Sequence, residues 1–293
     1  MFPMSEPFHM RSSPHILFAV LWIAAEVVLL FQDRAMAWVA LGFFAFLLIL
    51  WLITRRLVHE PTSTVSDVLK AAGTRKRLFV RAVIVAAVLL LIFIYGFTNS
   101  KVLTVPVFDS AYRGIARLAP QLGSGLPNFV LYVLIPGLLV VALGARRREL
   151  GLTRPAKGTY LATLVGGGLF LLSWVWRILQ RRMAIPMLGL FLLHNFLSNG
   201  FSEEFLTKGL VLSHLRAFMR NDWALVVQAM IFAFLHFGSS LHDERTMVGV
   251  VANVIALNAP MGYFLGLMAV RTRSLFLPAA VHLIFDTTRN VWM

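Results

Sequence analysis

The sequence predicts an all-α, polytopic transmembrane helical bundle of about eight or nine helices. Three observations carry that prediction. Hydrophobic residues fill 59% of the 293 positions and charged residues only 14%, whereas a soluble domain carries roughly 25% charged residues. The mean hydropathy is +0.78. Apolar runs of bilayer-spanning length recur along the whole chain with short polar loops between them.

In order, the runs predict spans near 16–31, 35–53, 79–97, 128–143, 159–176, 186–215, 224–240, 247–269 and 275–291. The fourth and the last are short. The first reads as a retained anchor, because Met1 to His15 lacks a basic region and a small-residue cleavage site. Glu26 is its one charged residue, and the position suits a snorkelling or structurally paired carboxylate. With no cysteine, disulfides, thiolate catalysis and Cys-type zinc sites are excluded.

The net charge of +14 is explained by topology and not by nucleic acid, because Lys and Arg cluster in loops between apolar runs. Loop 54–81 holds seven and loop 144–158 holds five. Placing both in the cytoplasm puts seventeen basic residues on that side, nine on the other, and Lys208 inside a span. The N-terminus is then cytoplasmic and the C-terminus is not. Arg177, Arg181 and Arg182 fall on the outer side and fit the rule least well. Between the third and fourth spans, Val107 to Leu118 has a helical apolar rhythm suited to lying flat at the interface. Pro120, Gly123, Gly125 and Pro127 then break it.

Polar intramembrane residues concentrate in the last third. Glu203 and Glu204 stand side by side between apolar runs, with Lys208 one turn on. Burying a charge at bilayer depth costs at least ~2.5 kcal/mol, so two adjacent carboxylates need a cation or a proton. Glu204 and Lys208 are spaced i,i+4 on one helix face, which leaves Glu203 about 100° away. Asn195, Asn199 and Glu203 draw a polar stripe down the same helix. His236 lies in the next span, and His282 with Asp286, again four apart, lies in the last. At 1.5 Å per residue, Glu203, His236 and His282 sit roughly 18, 18 and 11 Å from the cytoplasmic ends of their helices.

Those groups suit hydrolysis. Glu203 is the candidate general base, with His236 positioning the same water. His282 is the candidate donor to the oxyanion. Glu204 and Lys208 hold geometry and balance charge. Asp286 either orients His282 or carries a proton, since an ionised carboxylate beside an oxyanion is unfavourable. The alternative reading for Glu203 and Glu204 is a structural ion pair with Lys208, which accounts for Glu204 and not for Glu203. For His236 it is a satisfied core histidine, and for His282 with Asp286 a hydrogen-bonded pair at a helix end. Asn195 and Asn199 suit helix-to-helix hydrogen bonds, and Gly262-x-x-x-Gly266 suits close packing. His194 and His214 lie off the motif spacing and read as structural.

Glu-Glu-x-x-x-Lys, Phe-x-x-x-His and His-x-x-x-Asp, in that order, resemble the CPBP family of intramembrane proteases, the CAAX-processing and bacteriocin-processing group. Gly262-x-x-x-Gly266, Arg271 to Leu275 and Pro278 strengthen the resemblance, which covers residues 185–290. It implies that Glu203 and His236 activate water and that His282 and Asp286 line the oxyanion site. The sequence departs from the family at Lys208, where arginine is usual. Lysine keeps the charge and loses the planar fork.

The expected organisation is an N-terminal set of transmembrane helices and loops, 1–125, and a helical core, 126–293, containing the protease-like region. The expected function is an intramembrane endopeptidase of the glutamate type in a bacterial or archaeal cytoplasmic membrane. Its expected partners are the bilayer and a membrane-associated protein or peptide, lipidated substrates included, and not nucleic acid. No organic cofactor is implied. Zinc is the disfavoured alternative, because the ligands lie on separate helices and no H-E-x-x-H occurs. Two other function classes stand beside this one. One is a non-proteolytic scaffold of the same fold. The other is a proton-coupled transporter, against which no inverted repeat is found.

Overall fold

The computed structural model describes residues 12–59, 75–99, 105–243 and 246–292. Regular structure among the described residues is helical throughout, with no strand. The helices are α1 (Ser12–Gln32), α2 (Arg34–Leu57), α3 (Arg75–Asn99), α4 (Pro106–Ala116), α5 (Gly125–Ala142) and α6 (Thr159–Leu179). They continue with α7 (Ile185–Asn195), α8 (Ser213–Phe218), α9 (Asn221–Leu235), α10 (Phe237–Asp243), α11 (Met247–Thr272) and α12 (Phe276–Trp292).

Six of them, α1, α2, α3, α5, α6 and α11, are long and apolar enough to cross a membrane, and α9 is a shorter apolar helix. Their outward faces carry large apolar side chains such as Phe31 and Leu169, 87% and 80% exposed, as lipid contact requires. The two other expected spans, 186–215 and 275–291, are helical as well and hold the polar residues of the candidate site. The expected span 224–240 is two helices, because α9 ends at Leu235 and α10 begins at Phe237. His236 stands at that break with φ −90° and ψ 2°. Arg11, Lys70 and Arg245, which enter the charge count, lie outside the described residues.

The chain forms two compact units that interleave in sequence. One comprises 1–52, 62–105 and 210–267, and the other 53–61, 106–209 and 268–293.

In the first unit, α1 packs on α9 and on the 247–258 part of α11. Ala25, Ala37, Ala40, Ala252 and Ala256 surround Leu29, and these small residues let the helix backbones approach closely. Pro260 has no N–H to give the Ala256 carbonyl four residues back. The helix widens there into an i→i+5 turn, Val254–Asn258, and the Trp22 indole donates to the Ala256 oxygen at 3.2 Å. Gly262 and Gly266 meet α9 as the spacing suggests. A Cβ on Gly262 would lie 2.9 Å from the Ala229 Cα, and one on Gly266 2.8 Å from Gln228 Oε1. Glu26 is buried in this unit, and its Oε1 makes no hydrogen bond to a described residue.

In the second unit, α12 packs on α6, on α7 and on the turn 196–200. Trp174, Ile284 and Val291 form the centre of that contact, with Phe191 and Leu192 of α7 against them. A polar clasp fixes where α12 starts. Leu275 N–H donates to the Gly151 carbonyl at 3.0 Å and Ala156 N–H to the Thr272 carbonyl at 3.2 Å. Thr153 Oγ1 donates to the Arg273 carbonyl at 2.7 Å, and Ser274 Oγ returns a bond to the Thr153 carbonyl at 3.0 Å. Arg271 donates to the Arg55 and Val58 carbonyls at the end of α2, groups that a helix terminus leaves without internal partners.

Candidate active site

The site forms in the second unit, where the helix after α7 leaves ideal geometry. Phe196–Gly200 is an i→i+5 turn closed by Phe201 N–H to the Phe196 carbonyl at 3.2 Å. Ser202 Oγ supports it by donating to the Leu197 carbonyl at 2.6 Å. Such widened turns shift the register of the residues that follow and concentrate at functional sites. A second one, Phe205–Leu212, follows the short helix Ser202–Glu204. Gly200 is required at the crossing with α12, since a Cβ there would lie 3.0 Å from the Leu283 Cα and N. That approach brings Asn199, Glu203 and Glu204 to His282 and Asp286.

Glu204 is the buried anchor. Lys208 Nζ donates to Glu204 Oε1 at 3.0 Å, and both side chains are 0% exposed. The same oxygen accepts from His282 Nδ1 at 2.9 Å. Because a carboxylate only accepts, this bond places a proton on Nδ1 and turns the Nε2 edge the other way. Glu204 Oε2 has no hydrogen-bond partner among the described residues.

The Nε2 edge faces two more carboxylates, Glu203 Oε2 at 3.9 Å and Asp286 Oδ2 at 3.5 Å. Two adjacent glutamates thus reach opposite edges of one imidazole, which the ~100° step between neighbouring helix residues permits. Asn199 Nδ2 donates to Asp286 Oδ2 at 2.8 Å and holds that carboxylate beside the ring. Exposure separates the roles. Glu203 and Asp286 side chains are 13% and 18% exposed, whereas Glu204 and Lys208 are sealed. Water therefore reaches the side chains of Glu203 and Asp286 before the sealed pair. Three carboxylates around one ammonium and one imidazole can hold a proton and pass it on.

The sequence makes His282 a donor to an oxyanion without choosing a ring nitrogen. Since Nδ1–H is committed to Glu204, donation from Nε2 requires the doubly protonated ring. His236 belongs to the first unit. Its Nδ1–H donates to the Phe232 carbonyl at 2.9 Å, so Nε2 is the acceptor of the neutral ring. Asn195 binds α7 to α12 through Thr287 Oγ1 at 3.1 Å and Asn290 Nδ2 at 3.3 Å. His194 Nδ1 bonds the Leu122 carbonyl and His214 Nδ1 the Leu210 carbonyl, each at 2.7 Å.

One residue near the site escaped the sequence reading. Tyr132 sits on a further i→i+5 turn, Val130–Leu134, which packs against Ser202–Glu204. Its phenol is within electrostatic reach of Glu203 and Tyr112. A single tyrosine in an apolar run gives no sign of which helix it will face. Among the described residues, no three His, Cys, Asp or Glu side chains form a set able to hold a metal ion.

Residues 185–288 match the family model described as Rce1-like, type II CAAX prenyl endopeptidase Rce1-like. The matched segment contains all three motifs and supports a CAAX-type intramembrane endopeptidase in general, with a membrane-associated protein as its kind of substrate. Neither the curated proteins nor the solved structures contain a match to this chain.

Proposed function

We propose that the chain is an intramembrane endopeptidase of the glutamate type, with Glu203 as the base that activates water. The observation that carries this reading is the division of labour around His282. Glu204 and Lys208 fix one ring edge from a fully buried position, and the other edge meets two carboxylates whose side chains are partly exposed.

Glu203 takes a proton from water, and the oxygen adds to the scissile carbonyl carbon. His282, held by Glu204, offers a proton at Nε2 to the developing oxyanion when the ring is doubly protonated. Collapse of the tetrahedral intermediate breaks the C–N bond, and the proton held by Glu203 passes to the leaving nitrogen. Atoms and charge balance as one water consumed and two termini released. Asp286, placed by Asn199, keeps the imidazole in register. The assignment of His236 to the same water rests on motif order alone. The substrate we assign is a membrane-associated protein or peptide, with lipidated C-terminal segments as the first class to try.

The test is hydrolysis by the purified, reconstituted full chain. Glu203→Gln should lower the rate by ~10²–10⁴, the range for loss of a general base, while disturbing folding far less than Glu204→Gln. A Glu203→Gln protein that still cleaves at the wild-type rate would end this assignment.

A further inference from the structure

We infer that a cavity beneath α4 binds the phosphate headgroup of an anionic membrane phospholipid, a site separate from the candidate active site. The cavity, of about 450 Å³, is lined by Tyr112, Arg113, Arg117, Pro120, Gly123 and Ser124 and by no acidic residue. It lies where a lipid headgroup would lie. Helix α4 buries none of its residues and connects two spans, with Val107 77% exposed on it and Leu118 equally exposed just beyond its end. A helix of that kind rests in the headgroup region.

Two guanidinium groups and a hydroxyl line the cavity, a set suited to phosphate. Arg113 and Arg117 are one turn apart on one face, and the Arg117 N–H to Arg113 carbonyl bond at 3.1 Å keeps the helix intact to that point. Neither arginine pairs with a described acidic residue. Two guanidinium forks match phosphate oxygens bidentately. The opposite wall is the start of α5. Ser124 holds its N-cap position and lines the cavity, and its side chain makes no capping bond. The electropositive end of that helix adds to the field. The turn between the walls is fixed, not pliant. Pro120–Leu122 is a tight helical turn, Gly123 takes φ +49°, and His194 grips the Leu122 carbonyl at 2.7 Å.

The chemistry favours a lipid over a soluble anion, because the arginines stand on a helix that also exposes the apolar side chain of Val107. The experiment uses the full chain reconstituted in vesicles of phosphatidylcholine with phosphatidylglycerol, extracted gently and examined for retained lipid by native mass spectrometry. Wild type should retain phosphatidylglycerol in preference to phosphatidylcholine. Arg113→Gln with Arg117→Gln should retain it roughly thirtyfold more weakly. Ser124→Ala should give a smaller loss in the same direction, a result that scattered surface charge does not produce. Equal retention of both lipids, or equal retention by wild type and the double variant, would overturn the inference. So would displacement of the lipid by millimolar inorganic phosphate, or by a peptide with a free C-terminal carboxylate.

Discussion

Glu203 and Glu204 are neighbours in sequence, yet replacing each by glutamine should produce opposite kinds of damage. Glu204 Oε1 receives Lys208 Nζ at 3.0 Å and His282 Nδ1 at 2.9 Å, inside a fully buried pair. Glutamine keeps an oxygen for these donors but removes the charge opposite Lys208. Breaking a buried pair in this way costs about 3–5 kcal/mol, and the retained carbonyl argues for the lower end. The new amide N–H₂ also falls where Oε2 has no described hydrogen-bond partner, an unsatisfied burial worth about 1–3 kcal/mol. Against a total stability of about 5–15 kcal/mol, Glu204→Gln should lower the unfolding midpoint strongly. Glu203 is 13% exposed and lies 3.9 Å from His282 Nε2, beyond hydrogen-bond distance, so Glu203→Gln should disturb folding far less than Glu204→Gln while losing hydrolysis. Tryptophan fluorescence during heating in detergent reads stability, and the seven tryptophans give ample signal. A Glu204→Gln protein as stable as wild type would refute the anchor role. Equal destabilisation by both variants would refute the division between them.

Further perturbations test the surroundings of that pair. Gly200→Ala should cost about 1–3 kcal/mol through overpacking, because its Cβ would meet the Leu283 backbone at 3.0 Å; a neutral melting curve would contradict the close crossing. Asn199→Ala should slow hydrolysis about tenfold with little change in melting, and Asn199→Asp should be worse, since it sets a like charge beside Asp286. An Asn199→Asp protein with wild-type turnover would remove Asn199 from the account. Trp22→Phe should cost about 1 kcal/mol by deleting the bond to the Ala256 carbonyl, measured by denaturant titration, while hydrolysis per folded molecule stays constant.

Much of the helical framework was legible in composition, because a bilayer imposes long apolar runs on any chain that crosses it. The i,i+4 relations of Glu204 with Lys208 and His282 with Asp286 were legible for a similar reason: helix geometry alone makes them neighbours. Other features were not. An apolar run does not reveal whether its hydrogen bonds close after four residues or five, so the widened turns at 196–200 and 205–212 were invisible. Nor does it reveal that His236 ends a helix, since Phe234 to Phe237 reads as continuous apolar span. The choice of His282 Nδ1 for Glu204 joins residues 78 positions apart. It depends on the Gly200 crossing, which single-helix periodicity does not encode. The charge count treated Arg81 as part of a loop, whereas it is 1% exposed within α3. Lys and Arg tallies measure sidedness and not burial.

The central claim is that Glu203 activates the water that cuts a membrane-associated chain. Its most direct test compares protein termini by mass spectrometry in host membranes carrying wild type or Glu203→Gln at equal level. The account predicts a terminus present with wild type, absent with the variant, and an uncut precursor accumulating in its place. Identical termini in the two membranes, with any cellular phenotype retained by Glu203→Gln, would contradict it and make the glutamates a structural pair.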